Sequence, residues 1–210
     1  MQTVASPAIQ RSPKAEQVLD AAATVFLEQG FGAASMDAVA QAAGVSKATV
    51  YAHFAGKDAL FAAIVERACR RYAEILGSPD MGEADVGAVL RSVGSNFLGL
   101  LLRPQTLAIF RVVVAETPRF PTLGRVFFES GPRRVLERVE DFIRTASDKG
   151  QLSVADPHRA AEHFLGLLKG ELHMKMVLGL TEEVSPREFD ATVDAAVSTF
   201  LRAYGPRAEA

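Results

Sequence analysis

The chain has 210 residues, 49% hydrophobic and 23% charged, with a formal net charge of −2. That length holds one domain plus a small head, and the composition excludes wholesale disorder. The single cysteine, Cys69, excludes an intramolecular disulfide framework and any multi-cysteine zinc site. Residues 1–11 are polar and read as a flexible arm. Ser12–Pro13 follows as an N-cap with proline at the first helical position. Val18, Leu19, Ala22, Val25 and Phe26 then form an apolar stripe that ends at Gly30, with Phe31 placed to contact Phe26.

From Ser35 to Asp58 the chain reads SMDAVAQAAGVSKATVYAHFAGKD. Ser35 suits the cap of one short helix, with Asp37 in its first turn and Val39, Ala40 and Ala43 on one face. Gly44 stands where the chain turns sharply. Ser46 suits the cap of a second helix, Lys47 to His53, and Val45 and Val50 suit a hydrophobic staple. Two helices joined by a tight glycine turn make either an ordinary αα-corner or a helix-turn-helix, whose second helix enters the DNA major groove.

The second helix favours DNA. Val50 and Phe54 face a core, leaving Lys47, Ala48, Tyr51 and Ala52 outward. Lys47 suits guanine or a phosphate, and Ala48 a thymine methyl. The Thr49 and Tyr51 hydroxyls and His53 suit phosphate oxygens. Lys57 starts the next helix, where its charge opposes the helix dipole and a phosphate would relieve the conflict. These residues assign residues 12–56 to a DNA-binding head and 57–76 to a linking helix carrying Leu60, Phe61, Ile64, Val65, Ala68, Tyr72 and Ile75.

Gly77-Ser78-Pro79-Asp80 reads as a loop opening a body over 77–210. Helical patterns run from about Val86 to Leu102, Pro104 to Glu116, Thr122 to Lys149, Pro157 to Leu178 and Pro186 to Ala203. Asp156 caps the fourth of these, and Gly179 ends it. Strand alternation and internal repeats are lacking, so the expected fold is all-α with about nine helices.

The motif resembles that of TetR-family transcriptional regulators. The matching residues are Phe26, Gly30-Phe31, Ser35, Val39, Ala40, Ala43-Gly44-Val45-Ser46, Thr49-Val50-Tyr51, His53-Phe54 and Lys57-Asp58-Ala59-Leu60. Phe110-Arg111 and Glu116-Thr117-Pro118-Arg119-Phe120-Pro121 further resemble the C-terminal domain of AefR-like regulators. The resemblance implies a three-helix DNA-binding domain followed by a helical domain for ligand binding and dimerisation. Double-stranded DNA with a palindromic operator and a small apolar or aromatic ligand are the implied partners. No cofactor is implied.

Within the body, Leu98, Leu101, Leu102, Phe110, Val114, Phe127 and Phe128 either fill a core or line a cavity. Polar residues among them are better pointers to a ligand, because an unpaired polar group in a core is costly. Arg103, Gln105, Arg111, Glu116, His163 and Glu171 are such residues, and Leu167 lies beside the last two. Arg111 could instead bridge to Glu116 or rest on the surface. Gly166 and Gly170 suggest close helix approach, and Phe189, Val193, Val197, Phe200 and Leu201 make an apolar stripe. Both features suit either a dimer interface or packing inside one subunit.

His163 and Glu171 lie about 12 Å apart along a helix, too far to share a metal. No H-E-x-x-H pair, G-x-S-x-G or phosphate-binding glycine loop supports a metal site or catalysis. With no signal peptide or transmembrane stretch, a soluble cytoplasmic protein is expected. Charge argues less for DNA: residues 1–60 hold four cations (Arg11, Lys14, Lys47, Lys57) against five acids (Glu16, Asp20, Glu28, Asp37, Asp58). What matters is that the cations could share one face. A ligand-responsive repressor is the leading reading, ahead of an effector-free DNA-binding protein and of a helical enzyme.

Overall fold

A computed structural model describes residues 12–75 and 85–206, with side-chain detail outside 68–75. The arm, the Gly77–Asp80 loop and the surroundings of Cys69, Ala68, Tyr72 and Ile75 lie outside the described residues. Ten α-helices and no strand occur among them. They are α1 (Pro13–Ala33), α2 (Met36–Ala42), α3 (Lys47–His53), α4 (Lys57–Ile75) and α5 (Val86–Leu101). Then come α6 (Pro104–Glu116), α7 (Pro121–Ser130), α8 (Pro132–Asp148), α9 (Pro157–Leu178) and α10 (Pro186–Tyr204). Two compact units divide between Ile64 and Val65, inside α4.

In the first unit, the Ser12 hydroxyl accepts the Ala15 N–H and Pro13 begins α1. Val18, Leu19 and Ala22 are fully buried along with Val39, Val50 and Leu60. At Gly30 the helix kinks rather than stopping, and the assigned element continues to Ala33. The kink turns Phe31 inward, where Phe26, Phe31 and Phe61 form a triangle with ring centroids 5.5–6.0 Å apart. Phe61 meets the other two rings edge-on, a contact favourable beyond its buried area.

The second unit is built around the inner faces of α5, α8, α9 and α10, where Leu90, Leu98, Ile143, Phe164, Leu168 and Phe200 are buried. A Cβ on Gly94 would lie 3.1 Å from a Leu168 methyl and 3.4 Å from one of Val193, so close helix approach occurs here. The single helix expected over 122–149 is two, α7 and α8, separated at Gly131–Pro132. Proline has no N–H to continue the ladder and pushes its predecessor out of helical geometry. Gly131 accordingly has φ −129° and ψ −83°. Helix α9 starts where Asp156 accepts the Arg159 N–H and stops at left-handed Gly179. Ser185 and Glu188 form a complete capping box on α10.

A candidate DNA-binding face and an apolar cavity

Helix α2 starts because the Ser35 hydroxyl accepts the Ala38 N–H at 3.1 Å. It stops at Gly44, whose φ of +62° puts the chain in the left-handed region and reverses it within a few residues. The Val45 N–H returns to the Ala40 carbonyl, and Gln17 on α1 donates its side-chain amide to the Ala43 carbonyl at 2.7 Å. Gln17 therefore pins the turn from outside the motif. Ser46 then caps α3, accepting the Thr49 N–H at 3.1 Å.

With Val50 and Phe54 buried, α3 leaves Ser46, Lys47, Ala48, Tyr51, Ala52 and His53 exposed and Thr49 half-exposed. Tyr51 is 47% exposed, so its ring and hydroxyl are accessible for contact. The Thr49 hydroxyl is shared with Ser46 at 2.8 Å. Lys47 is held by Asp37, with its Nζ 2.8 and 3.0 Å from the two carboxylate oxygens. That hydrogen bond, and then the acid's charge, raises the Lys47 pKa. Lys57 finds a local answer to the helix-dipole conflict. Its ammonium donates to the Phe31 and Gly32 carbonyls at 2.8 and 3.1 Å and lies 4.9 Å from the Phe31 ring centre. The carbonyl ends of α1 thus do for Lys57 what a phosphate was expected to do.

In the second unit a cavity of about 90 Å³ is walled by side chains from six helices. Phe97, Leu100 and Leu101 come from α5, Thr106 and Ile109 from α6, Phe127 from α7, Val135 from α8, and Leu165 and Lys169 from α9. Val65 of α4 and Pro132 of α8 complete the lining. Of the nine expected ligand residues, Leu101 and Phe127 line it. Leu98 is fully buried in the core, and Val114 is 58% exposed. Phe110 packs against Phe127 and His173 with ring centres 6.0 and 5.9 Å away. Arg103 is an exposed residue at the start of α6.

Arg111 does something else: its guanidinium donates to the Val177 and Met176 carbonyls at 2.7 and 2.6 Å. The last carbonyls of a helix have no intrahelical partner, and a cation there also suits the dipole. His163 is exposed, with Nδ1 2.6 Å from the Tyr204 hydroxyl. Leu167, 40% exposed, lies in a separate open groove between α9 and α10. Lys169 and Thr106 went unrecognised in the sequence. A lysine inside the run FLGLLKGEL was the available signal.

The expected dimer stripe is also placed differently. Val193, Val197 and Phe200 are 1%, 6% and 1% exposed within their own core, which leaves them no surface for a second copy. Phe189 is partly buried against the same core. The outer face of α10 carries small residues instead, Ala191, Ala195 and Thr199, along the groove that also holds Leu167 and Gly170. Gly166 is exposed, and a Cβ placed there would meet no other atom within 4 Å. Gly170 has φ +40° and ψ −157° and breaks α9, a conformation barred to most L-residues. Among the described residues, no group of three or more His, Cys, Asp or Glu could hold a metal ion, and no single helix is long and apolar enough to cross a membrane.

The family model for bacterial regulatory proteins of the tetR family matches residues 18–64, and that for the AefR-like transcriptional repressor C-terminal domain matches residues 88–206. The chain belongs to the TetR family. Among solved structures of that family, the flavonoid-responsive regulator FrrA is 38% identical, with 93% of this chain and 98% of that one covered at a TM-score of 0.76. A TetR family transcriptional regulator from Pseudomonas syringae pv. tomato is 31% identical over 90% and 96% of the two chains, with a TM-score of 0.70. The transcriptional regulator UidR of Escherichia coli K12 is 29% identical over 157 residues, 73% of each chain. Like these TetR-family relatives, the chain is a helix-turn-helix DNA-binding transcriptional regulator.

Proposed function

We propose that this protein is a cytoplasmic repressor that binds a palindromic DNA operator as a homodimer and is released by a small, mainly apolar ligand. The cavity is the observation that carries this reading. Its lining is apolar apart from Thr106 and Lys169, and it includes Val65 of α4, the helix that begins at Lys57. A ligand against Val65 would bear on α4 directly. To act as a switch it must bind the DNA-competent and incompetent states unequally, with a coupling of about 1–3 kcal/mol. FrrA is described as flavonoid-responsive, and an aromatic molecule suits the Phe97 and Phe127 walls here.

Ser35, Ser46, Lys47, Ala48, Thr49, Tyr51 and His53 form the DNA-contacting face in this reading. Lys57 acts there mainly by holding α4 to α1. The second copy docks on the small-residue face of α10 and the exposed Gly166–Leu167 edge of α9. An effector-free DNA-binding protein is the alternative. It is favoured by the cavity's volume, which is below the roughly 150 Å³ that houses benzene in an engineered protein cavity.

Selection from random double-stranded DNA should recover a palindromic site. Titrating that site in the presence of small aromatic compounds should then reveal one that lowers affinity and raises the melting temperature of the free protein. If compounds that raise the melting temperature leave operator affinity unchanged, ligand release is wrong.

A further inference from the structure

Lys169 stands out because its surroundings do not explain it. It lines a cavity whose other residues, Thr106 apart, are all apolar. No carboxylate pairs with it among the described residues, whereas Arg133, Arg144, Arg159 and the neighbouring Lys175 all have acidic partners. A lysine that only snorkels keeps its ammonium in water. Lys169 is an exposed residue by surface area, yet the apolar groups around its side chain lower its pKa. His173, one turn further along α9, is lowered by burial and then by the charge of Lys169. An unpaired, partly desolvated cation beside an aromatic wall is costly unless something pairs with it.

Resting on the ligand-responsive reading above, we propose that the cavity takes an aromatic acid: its ring lies between Phe97 and Phe127, and its carboxylate or acidic phenol oxygen pairs with the Lys169 ammonium. The apolar body supplies affinity, and Lys169 selects against neutral analogues. An oxyanion there would pair with the cation that lines the cavity, and charge-assisted hydrogen bonds are the stronger kind. The cavity must widen to admit the ring, because about 90 Å³ is below the roughly 150 Å³ that houses benzene in an engineered protein cavity.

Three single-ring probes test this on the full-length protein: benzoate, para-nitrophenol and nitrobenzene. Para-nitrophenol is titrated near its own pKa, where its phenolate is visible by colour. The expected result is tight binding of benzoate or of para-nitrophenol, the latter with a gain in phenolate absorbance. Lys169→Met should weaken the acids by about tenfold or more and abolish the absorbance gain, while nitrobenzene binding stays within about twofold. Lys169→Arg, which keeps the cation, should retain acid binding and shows that the position tolerates change. If Lys169→Met binds the acids as tightly as the wild type, the anchor is wrong while the cavity stands. If nitrobenzene binds the wild type and neither acid does, the acid class is wrong while the ligand-responsive reading stands; if none of the three binds, the aromatic-acid proposal falls and the operator titration above decides the ligand-responsive reading.

Discussion

Lys47, the first residue of α3, holds both carboxylate oxygens of Asp37 on α2, at 2.8 and 3.0 Å. The groups are well exposed, so the pair contributes little to stability. Its consequence is for DNA. A lysine occupied by an acid must release it, or share it, to meet a phosphate or a guanine. Asp37→Asn should therefore tighten DNA binding and steepen its dependence on salt by about one charge. Lys47→Ala should weaken specific binding by roughly 1–3 kcal/mol if the contact is to a base. Anisotropy titrations across a salt series check both. Equal affinity and slope in wild type and Asp37→Asn would mean that Lys47 lies outside the DNA contact.

Lys57 makes a different prediction. Two backbone carbonyls and one aromatic face surround its half-buried ammonium. Lys57→Met should lower stability by about 1–3 kcal/mol through lost charged hydrogen bonds. Any loss of DNA affinity should then follow from a loosened α1–α4 junction. Urea unfolding read beside operator binding separates the two. Unchanged stability with weakened, less salt-sensitive binding would return Lys57 to direct phosphate contact.

The DNA-binding half was largely legible because its signals are local. Ser35, Gly44 and Ser46 act on backbone groups within a few residues, so spacing alone places them. The Lys57 clamp spans 26 residues and the Arg111 clamp 66, and no periodicity encodes such pairings. The cavity was harder for the same reason: six helices contribute to it, and only the fold decides whether Leu98 or Leu101 faces inward. The α10 stripe was read correctly as apolar. Hydrophobicity cannot distinguish a protomer's core from an interface, and burial assigned Val193, Val197 and Phe200 to the core.

That assignment separates folding from assembly. Phe200→Ala should cost about 3–5 kcal/mol and lower the melting temperature without acting on a dimer directly. Ala195→Glu and Leu167→Glu should instead leave the protomer folded, because both positions lie along the open groove rather than in the deep core. They should yield monomers by analytical ultracentrifugation. Dimers that persist in both variants at micromolar concentration would place the interface elsewhere.

The last prediction concerns pH. His158 on α9 lies 2.9 Å from a carboxylate oxygen of Glu140 on α8, joining two helices that share the core. That hydrogen bond raises its pKa above the ordinary 6.5; desolvation opposes it as the next-largest effect, and charge from Glu140, Glu162 and Asp156 adds to the rise. A raised folded-state pKa means the folded protein holds the proton more tightly than the unfolded chain. The stabilisation is then complete below the unfolded value of 6.5 and disappears as pH rises through the higher folded value. His158→Gln should melt below the wild type at about pH 6, and the gap should shrink as pH rises above the ordinary histidine value and through the higher folded-state pKa. Because the imidazole is exposed, the gap should also shrink with added salt. Thermal melts of the two proteins across that range are the measurement. A gap that stays constant with pH would show that His158 acts through packing and not through its charge.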